Sequence, residues 1–159
     1  MSLVNDLLLA GVEPGFLMMA MATLAGGPAP YPGTEVRKTK LSFGDLHDRL
    51  EAAIEKNGML LVNSASASAA AKARGVTIPG NAVLGVFRPD FAVRMLAASV
   101  AAGIEAPLRF YLTENADGTA TLTYRLPSAV FAPYGSPALN EMAGELDVIW
   151  SRIVADTIE

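Results

Sequence analysis

The apolar residues of this chain are most concentrated between Ala82 and Arg125, where their spacing changes from strand-like to helix-like and back. Residues 82–87 are almost wholly apolar, as expected of a strand that is covered on both faces. Pro89 suits the first position of a helix, and Gly103 suits its end. Pro107 begins a second strand, and the turn at residues 115–118 returns a third strand beside it. This stretch is predicted to contain most of the core.

Two other segments have the spacing of amphipathic helices. The first runs from Ser42 to Lys56, begins with a capping-box-like Ser42 and Asp45, and ends at Asn57-Gly58. The second runs from residue 138 to about residue 157 and follows Ser136-Pro137. Their predicted buried stripes are Phe43, Leu46, Leu50, Ala53 and Ile54 in the first helix, and Leu139, Met142, Leu146, Ile149, Trp150 and Ile153 in the second.

The remaining segments complete an α+β pattern. Residues 34–41 predict a half-exposed edge strand, residues 59–62 a short buried strand, and residues 126–135 an irregular connection. Residues 64–74 predict an alanine-rich helix capped by Ser64 or Ser66, with a phosphate-binding helix N-terminus as the alternative. The fold prediction is a mixed β-sheet of about five strands covered by helices, in the order β-α-β-α-β-α-β-β-α, with an extra N-terminal helical segment.

The first 33 residues differ from the rest of the chain. Residues 16–25 have the apolar run of a secretory signal, but Asp6 and Glu13 precede this run and no Lys or Arg does. A packed apolar helix is therefore the preferred interpretation. A cleaved signal, which would make the protein periplasmic rather than cytoplasmic, is the alternative. We predict an apolar helical segment with a Pro/Gly linker at residues 1–33 and a single α+β domain at residues 34–159.

Composition and charge exclude several kinds of chemistry. The net charge is −4 and the twelve Lys and Arg residues are scattered, which argues against nucleic-acid binding. The chain has no cysteine, so disulfides, thiolate metal sites and cysteine nucleophiles are excluded. No run of about 18 uncharged apolar residues supports an integral membrane span. His47 is the only histidine and has no partner for a familiar catalytic dyad. No cofactor, metal ligand or catalytic residue is predicted.

Short motifs occur in a fixed order along much of the chain. They are Gly58, Phe87-Arg88-Pro89, Ala106-Pro107-Leu108-Arg109-Phe110, Asp117-Gly118, Thr123-Tyr124, Pro127 and Tyr134-Gly135, followed by the C-terminal helix. From about Thr39 to its end, the chain therefore resembles the family called domain of unknown function 302. The resemblance implies a small α+β domain, often a homodimer, with no agreed biochemical activity.

The chain departs from that family at three informative positions. Many members have Asn where this chain has Arg88, and a subset has cysteines that align with Phe87 and Leu108. Apolar residues at the latter two positions indicate that they belong to the core here. Any thiol or metal chemistry of that subset therefore does not transfer to this chain.

The candidate site lies where the strand at residues 82–87 meets its helix, because ligands collect near the carboxyl ends of strands and at helix N-termini. Arg88 follows the strand and is suited to bind a carboxylate or phosphate, with Asp90 in the first helical turn. Arg109, Tyr111 and Tyr124 of the hairpin are predicted to add polar groups. The alternative is that Arg88 simply pairs with Asp90 or another carboxylate at the surface.

Three functions remain open from the sequence. The preferred one is a non-enzymatic small-ligand-binding or interaction module that acts as a homodimer, with an apolar cleft and a small anionic ligand. The second is a hydrolase- or isomerase-like enzyme whose Arg88 pocket holds a buried acid. The third is an envelope-associated protein with an N-terminal targeting segment.

Overall fold

The computed structural model describes residues 31–159, so the predicted N-terminal helix or signal lies outside the described residues. The strands are β1 (Thr34–Ser42), β2 (Leu60–Ala65), β3 (Asn81–Phe87), β4 (Leu108–Glu114) and β5 (Thr119–Arg125). The α-helices are α1 (Phe43–Lys56), α2 (Ala67–Lys72), α3 (Pro89–Ala98), α4 (Pro127–Phe131) and α5 (Pro137–Ile158). Two 3₁₀ helices span Val100–Glu105 and Ala132–Tyr134. Within residues 31–159, no helix has both the length and the hydropathy needed to cross a bilayer.

The five strands form one sheet in the order β1-β5-β4-β3-β2. The α+β class, the five strands and the predicted element order are confirmed, but every neighbouring pair is antiparallel, so the sheet is not mixed. The connection between β3 and β4 explains part of the difference. Helix α3 has 10 residues and spans about 15 Å, and the 3₁₀ helix packed on it has 6 residues and spans about 12 Å. The chain leaves the sheet along α3 and comes back to it along the 3₁₀ helix. The start of β4 therefore lies beside the end of β3.

The core lies between the sheet and the helices α1 and α5. The ring of Phe110 on the central strand β4 stacks on Trp150 of α5, with 5.3 Å between ring centroids. The predicted alternation along β4 is confirmed, because Phe110 and Leu112 are buried while Arg109 and Tyr111 lie on the opposite face. The two predicted helix stripes are also buried, apart from the partly buried Phe43 and Ile149.

Local capping chemistry determines where the helices begin and end. The hydroxyl of Ser42 accepts a hydrogen bond from the backbone N–H of Asp45 at 3.1 Å, as the capping-box pattern predicts. Gly58 follows α1 with φ of 72°, in the left-handed region that favours glycine. Helix α2 is capped by Ser66, not Ser64. The hydroxyls of Ser66 and Ser68 donate to the carbonyl of Asn81, so these serines attach α2 to β3.

Four features differ from the sequence-based expectations. Strand β2 is an exposed edge strand rather than a buried one, with Leu60 51 % exposed. Strand β3 buries one face, while Val83 on its other face and Phe87 at its end are only partly covered. Helix α3 ends at Ala98, before the predicted Gly103. Part of the connection at residues 126–135 is helical, with Pro127 in the first turn of α4. Burial and chain reversal depend on neighbours in space, which local patterns do not specify.

Candidate functional site

Arg88 links the end of β3 to the start of α3. Its extended backbone is the N-cap of the helix, and Pro89 occupies the first turn. Its guanidinium donates two hydrogen bonds to Asp90, from Nε to Oδ1 at 2.7 Å and from Nη2 to Oδ2 at 3.0 Å. The guanidinium carbon also lies 4.2 Å from the centroid of the Phe91 ring. Arg88 and Asp90 therefore lie close together and form an ion pair with two hydrogen bonds.

The electrostatics of this pair do not favour proton transfer. The hydrogen bond from Arg88 lowers the pKa of Asp90, whose side chain is 57 % exposed. A carboxyl group with a lowered pKa stays ionised at neutral pH and is a poor proton donor. The side chain of Arg88 is 30 % exposed, and the residue also lines a cavity.

An apolar cavity of about 30 Å³ lies beside Arg88, between β3, β4, α3 and α5. Its walls include three methionines, Met59, Met95 and Met142, together with aromatic rings. Among the described residues that line this cavity, Arg88 is the only ionisable one. Methionine side chains are flexible and polarisable, so this cavity can widen by rotamer changes. The cavity is suited to hold an apolar group, with one charged residue at its margin.

Trp150 lines this apolar cavity and carries one side-chain polar atom, Nε1. The side chain is 1 % exposed, and its Nε1–H has no hydrogen-bond acceptor among residues 31–159. A buried donor without a partner costs about 1–3 kcal/mol, so most buried tryptophans have one. From its spacing along α5, Trp150 is predicted only as part of the buried stripe. The sequence pattern of α5 does not indicate that the indole N–H lacks an acceptor, because the presence of an acceptor depends on which groups surround the ring after folding.

A second cavity of about 160 Å³ lies at the β4–β5 hairpin and includes Arg109, Tyr111 and Tyr124. Arg109 and Tyr111 point away from the core, whereas Tyr124 is 6 % exposed and packs on Phe110 with 5.5 Å between ring centroids. Of the five predicted site residues, Arg88 lines the first cavity, three line the second, and Asp90 lines neither but pairs with Arg88. Arg125, which the sequence analysis did not single out, lines the second cavity as well.

Comparison with known proteins places this fold in a family. The family model described as "Domain of unknown function DUF302" matches residues 35–156. The chain belongs to this family. The DUF302 chain is also similar to the crystal structure of an uncharacterized conserved DUF302 protein from Bacillus stearothermophilus, with 19 % identity and a TM-score of 0.68. The match covers 80 % of this chain and 99 % of that one, and shows a common fold. No curated protein matches the chain.

Several residues that carry the DUF302 resemblance surround the apolar cavity. Phe87, Arg88, Ala106 and Leu108 line it. Gly58 lies beside Arg88, because a Cβ at that position would be 4.0 Å from Arg88 Nη1. The two positions where some members have cysteine, Phe87 and Leu108, are partly buried cavity walls here rather than fully buried core. The family motifs and the unsatisfied indole N–H therefore converge on one place in the DUF302 domain.

Proposed function

We propose that this DUF302 domain is a non-enzymatic module that binds a small, mostly apolar ligand in the cavity beside Arg88. The observation that supports this most strongly is Trp150, which lines the cavity and whose buried Nε1–H has no acceptor among residues 31–159. A ligand with an apolar body and one acceptor oxygen would satisfy this donor and fill the space. The small volume means that only part of a larger ligand would enter before the methionines move.

A water molecule is a weaker candidate for the same position. A cavity of about 30 Å³ is large enough for a water. A buried water, however, needs two to four polar partners, roughly three on average. Among the described residues that line it, all are apolar except Trp150 and Arg88, and the guanidinium of Arg88 already binds Asp90. A ligand that needs only one hydrogen bond fits this environment better than water does.

The groups around the cavity argue against acid–base catalysis. The enzyme hypothesis requires a buried acid beside Arg88, and the nearest acidic partner, Asp90, is more than half exposed and has a lowered pKa. General acid–base catalysis needs a group whose pKa lies near the working pH. Ligand binding therefore explains the residues that line this cavity better than acid–base catalysis does.

A matched pair of small probes tests the binding proposal. Cyclopentanone has an acceptor oxygen and cyclopentane, of similar size, does not. We expect the ketone to raise the melting temperature of the protein more than the hydrocarbon does, because only the ketone accepts from Trp150. Replacement of Trp150 by Phe should reduce this preference by about tenfold in affinity, the equivalent of one hydrogen bond.

Two variants of helix α3 provide a control that leaves Trp150 in place. Ala92 lines the cavity, so Ala92→Leu should fill it and abolish the response to both probes. Ala97 is exposed on the same helix, so Ala97→Leu should leave binding unchanged. Equal stabilisation by the two probes in the unmodified protein, or an unchanged response in Ala92→Leu, would refute the proposal.

We further propose that the domain acts as a homodimer through an apolar patch on α3 and the following 3₁₀ helix. The patch consists of Val93, Leu96, Val100 and Ile104, which are 69 %, 46 %, 79 % and 82 % exposed. Exposed apolar patches commonly mark interaction surfaces. These four side chains are uncharged, so two copies can meet across a twofold axis without charge repulsion.

Molecular mass in solution tests the dimer. We expect a dimer by light scattering, and we expect Val100→Glu and Ile104→Glu to convert it to a monomer by placing like charges at the interface. Val148 is 51 % exposed on α5, outside the patch, so Val148→Glu is the matched control and should remain dimeric. A monomeric parent protein at every concentration measured would rule the dimer out.

A further inference from the structure

Two arginines lie next to each other on the hairpin of β4 and β5. The register pairs Phe110 with Tyr124 and Tyr111 with Thr123, so Arg109 comes opposite Arg125 at the next position. Like charges directly opposite on neighbouring strands are destabilising. This arrangement therefore needs a compensating negative charge or has a cost in stability.

The described residues provide little compensation. Within residues 31–159, neither Arg109 nor Arg125 forms an ion pair with a carboxylate. The Nε–H of Arg125 is also buried and has no hydrogen-bond acceptor there. The ring of Tyr31, 5.8 Å from the guanidinium carbon of Arg125, supplies a cation–π contact but no hydrogen-bonding oxygen to Nε. An unpaired charged donor in this position is costly.

The cavity of about 160 Å³ beside these arginines contains further donors. The Tyr111 hydroxyl accepts a hydrogen bond from Asn81 Nδ2 and keeps its own proton to donate. Thr123 lines the same cavity with a hydroxyl group. The one carboxylate in the lining, Glu105, accepts from the Tyr134 hydroxyl at 2.9 Å. Two guanidinium groups thus face one carboxylate, which leaves one positive charge in excess.

We propose that the Arg109–Arg125 cavity binds a small oxyanion, a phosphate or a carboxylate group. Such a group accepts hydrogen bonds from guanidinium and hydroxyl donors and compensates the one positive charge in excess. The volume is below the range of about 300–1,000 Å³ that is typical of sites for drug-sized ligands. The occupant is therefore a small anion or the acidic end of a larger molecule. This site uses other charged and polar residues than the proposed ligand cavity at Trp150, although Leu108 lines both cavities.

The Nε–H signals of the arginine side chains, observed by NMR, test this proposal. Inorganic phosphate and sodium acetate are titrated separately at constant ionic strength, with chloride as the reference anion. We expect at least one of them to shift the Nε–H signal of Arg125 in a saturable manner. The stronger response identifies phosphate or carboxylate as the preferred group. The indole signal of Trp150 should not move, so this test and that of the apolar cavity can fail separately.

Variants that keep the charge distinguish the contribution of hydrogen bonds to anion affinity from the contribution of charge alone. Arg125→Lys keeps the charge but lacks the Nε–H, and we expect about tenfold weaker binding when the Nε–H signal of Arg109 is followed. Arg109→Lys, followed by the signal of Arg125, is a second variant if Arg125→Lys folds poorly, and it should also weaken binding. Arg152 is exposed on α5, and Arg152→Lys should leave affinity unchanged. An Arg125 signal that moves no more with phosphate or acetate than with chloride would overturn the proposal, as would equal affinities in all the variants.

Discussion

The guanidinium of Arg88 contacts a carboxylate and an aromatic ring, and these two contacts differ in their expected contribution to stability. The ion pair with Asp90 is largely exposed to solvent, and pairs of this kind contribute about 0–1 kcal/mol. The contact with the Phe91 ring adds about 0.5–1 kcal/mol, and it does not depend on Asp90. The helix-capping position of Arg88 does not use its side chain.

We therefore predict that Arg88→Ala lowers the free energy of unfolding by about 1–2 kcal/mol, because it removes both contacts. Asp90→Ala should lower it by less than about 1 kcal/mol, because Arg88 still covers Phe91. Urea denaturation of the two variants measures the difference. Equal losses in the two variants would contradict this explanation.

Residue-scale chemistry was only partly predictable from sequence. Asp90 was among the partners foreseen for Arg88, since both residues flank one helix start. The pairing of Arg109 with Arg125 could also have been found, by counting back from the turn at residues 115–118. The unsatisfied donors of Trp150 and Arg125 could not, because they depend on which atoms are absent from the surroundings after folding.

At the scale of elements, the start of β1 is tied to α4. The carbonyl of Gly33 accepts a hydrogen bond from the Leu126 backbone N–H at 2.8 Å. Gly33 has φ of 74°, and a Cβ there would lie 2.1 Å from the Cβ of Ala129. The Pro/Gly composition placed Gly33 in a linker, but its own contacts are those of a packed residue.

Replacement of Gly33 by Ala should therefore lower the free energy of unfolding by about 2–3 kcal/mol, through the left-handed backbone and the clash with Ala129. Gly144 is exposed within α5, and a Cβ there would meet nothing within 4 Å. Gly144→Ala should instead stabilise the protein by about 0.5–1 kcal/mol. Chemical denaturation compares the two, and a neutral Gly33→Ala would show that α4 does not fix the start of β1.

Elements defined by local chemistry were predicted well. Helices α1 and α5 have serine caps and regular apolar stripes, so their ends and buried faces follow from sequence. The turn before β5 likewise contains Gly118 at φ of 81°. The burial of β2 was predicted wrongly because apolar residues at 59–62 do not show that the strand lies at the sheet edge.

At the scale of the whole described domain, one antiparallel sheet places the two candidate sites at different positions. The residues beside Trp150 lie between the sheet and the helices α3 and α5, whereas Arg109 and Tyr111 project from the other face of β4. The sequence suggested that all five candidate residues converge. The alternation of side chains along β4 keeps them apart, so an apolar ligand and an oxyanion would be bound independently.

The most direct test of the ligand-binding proposal uses the indole N–H signal of Trp150, the only tryptophan in the chain. Its ¹H–¹⁵N resonance is recorded by NMR while cyclopentanone is added, with cyclopentane as the reference. We predict a saturable downfield shift of the indole proton with the ketone and no such shift with the hydrocarbon, because only the ketone accepts a hydrogen bond. An indole signal that responds equally to both compounds, or to neither, would contradict the proposal.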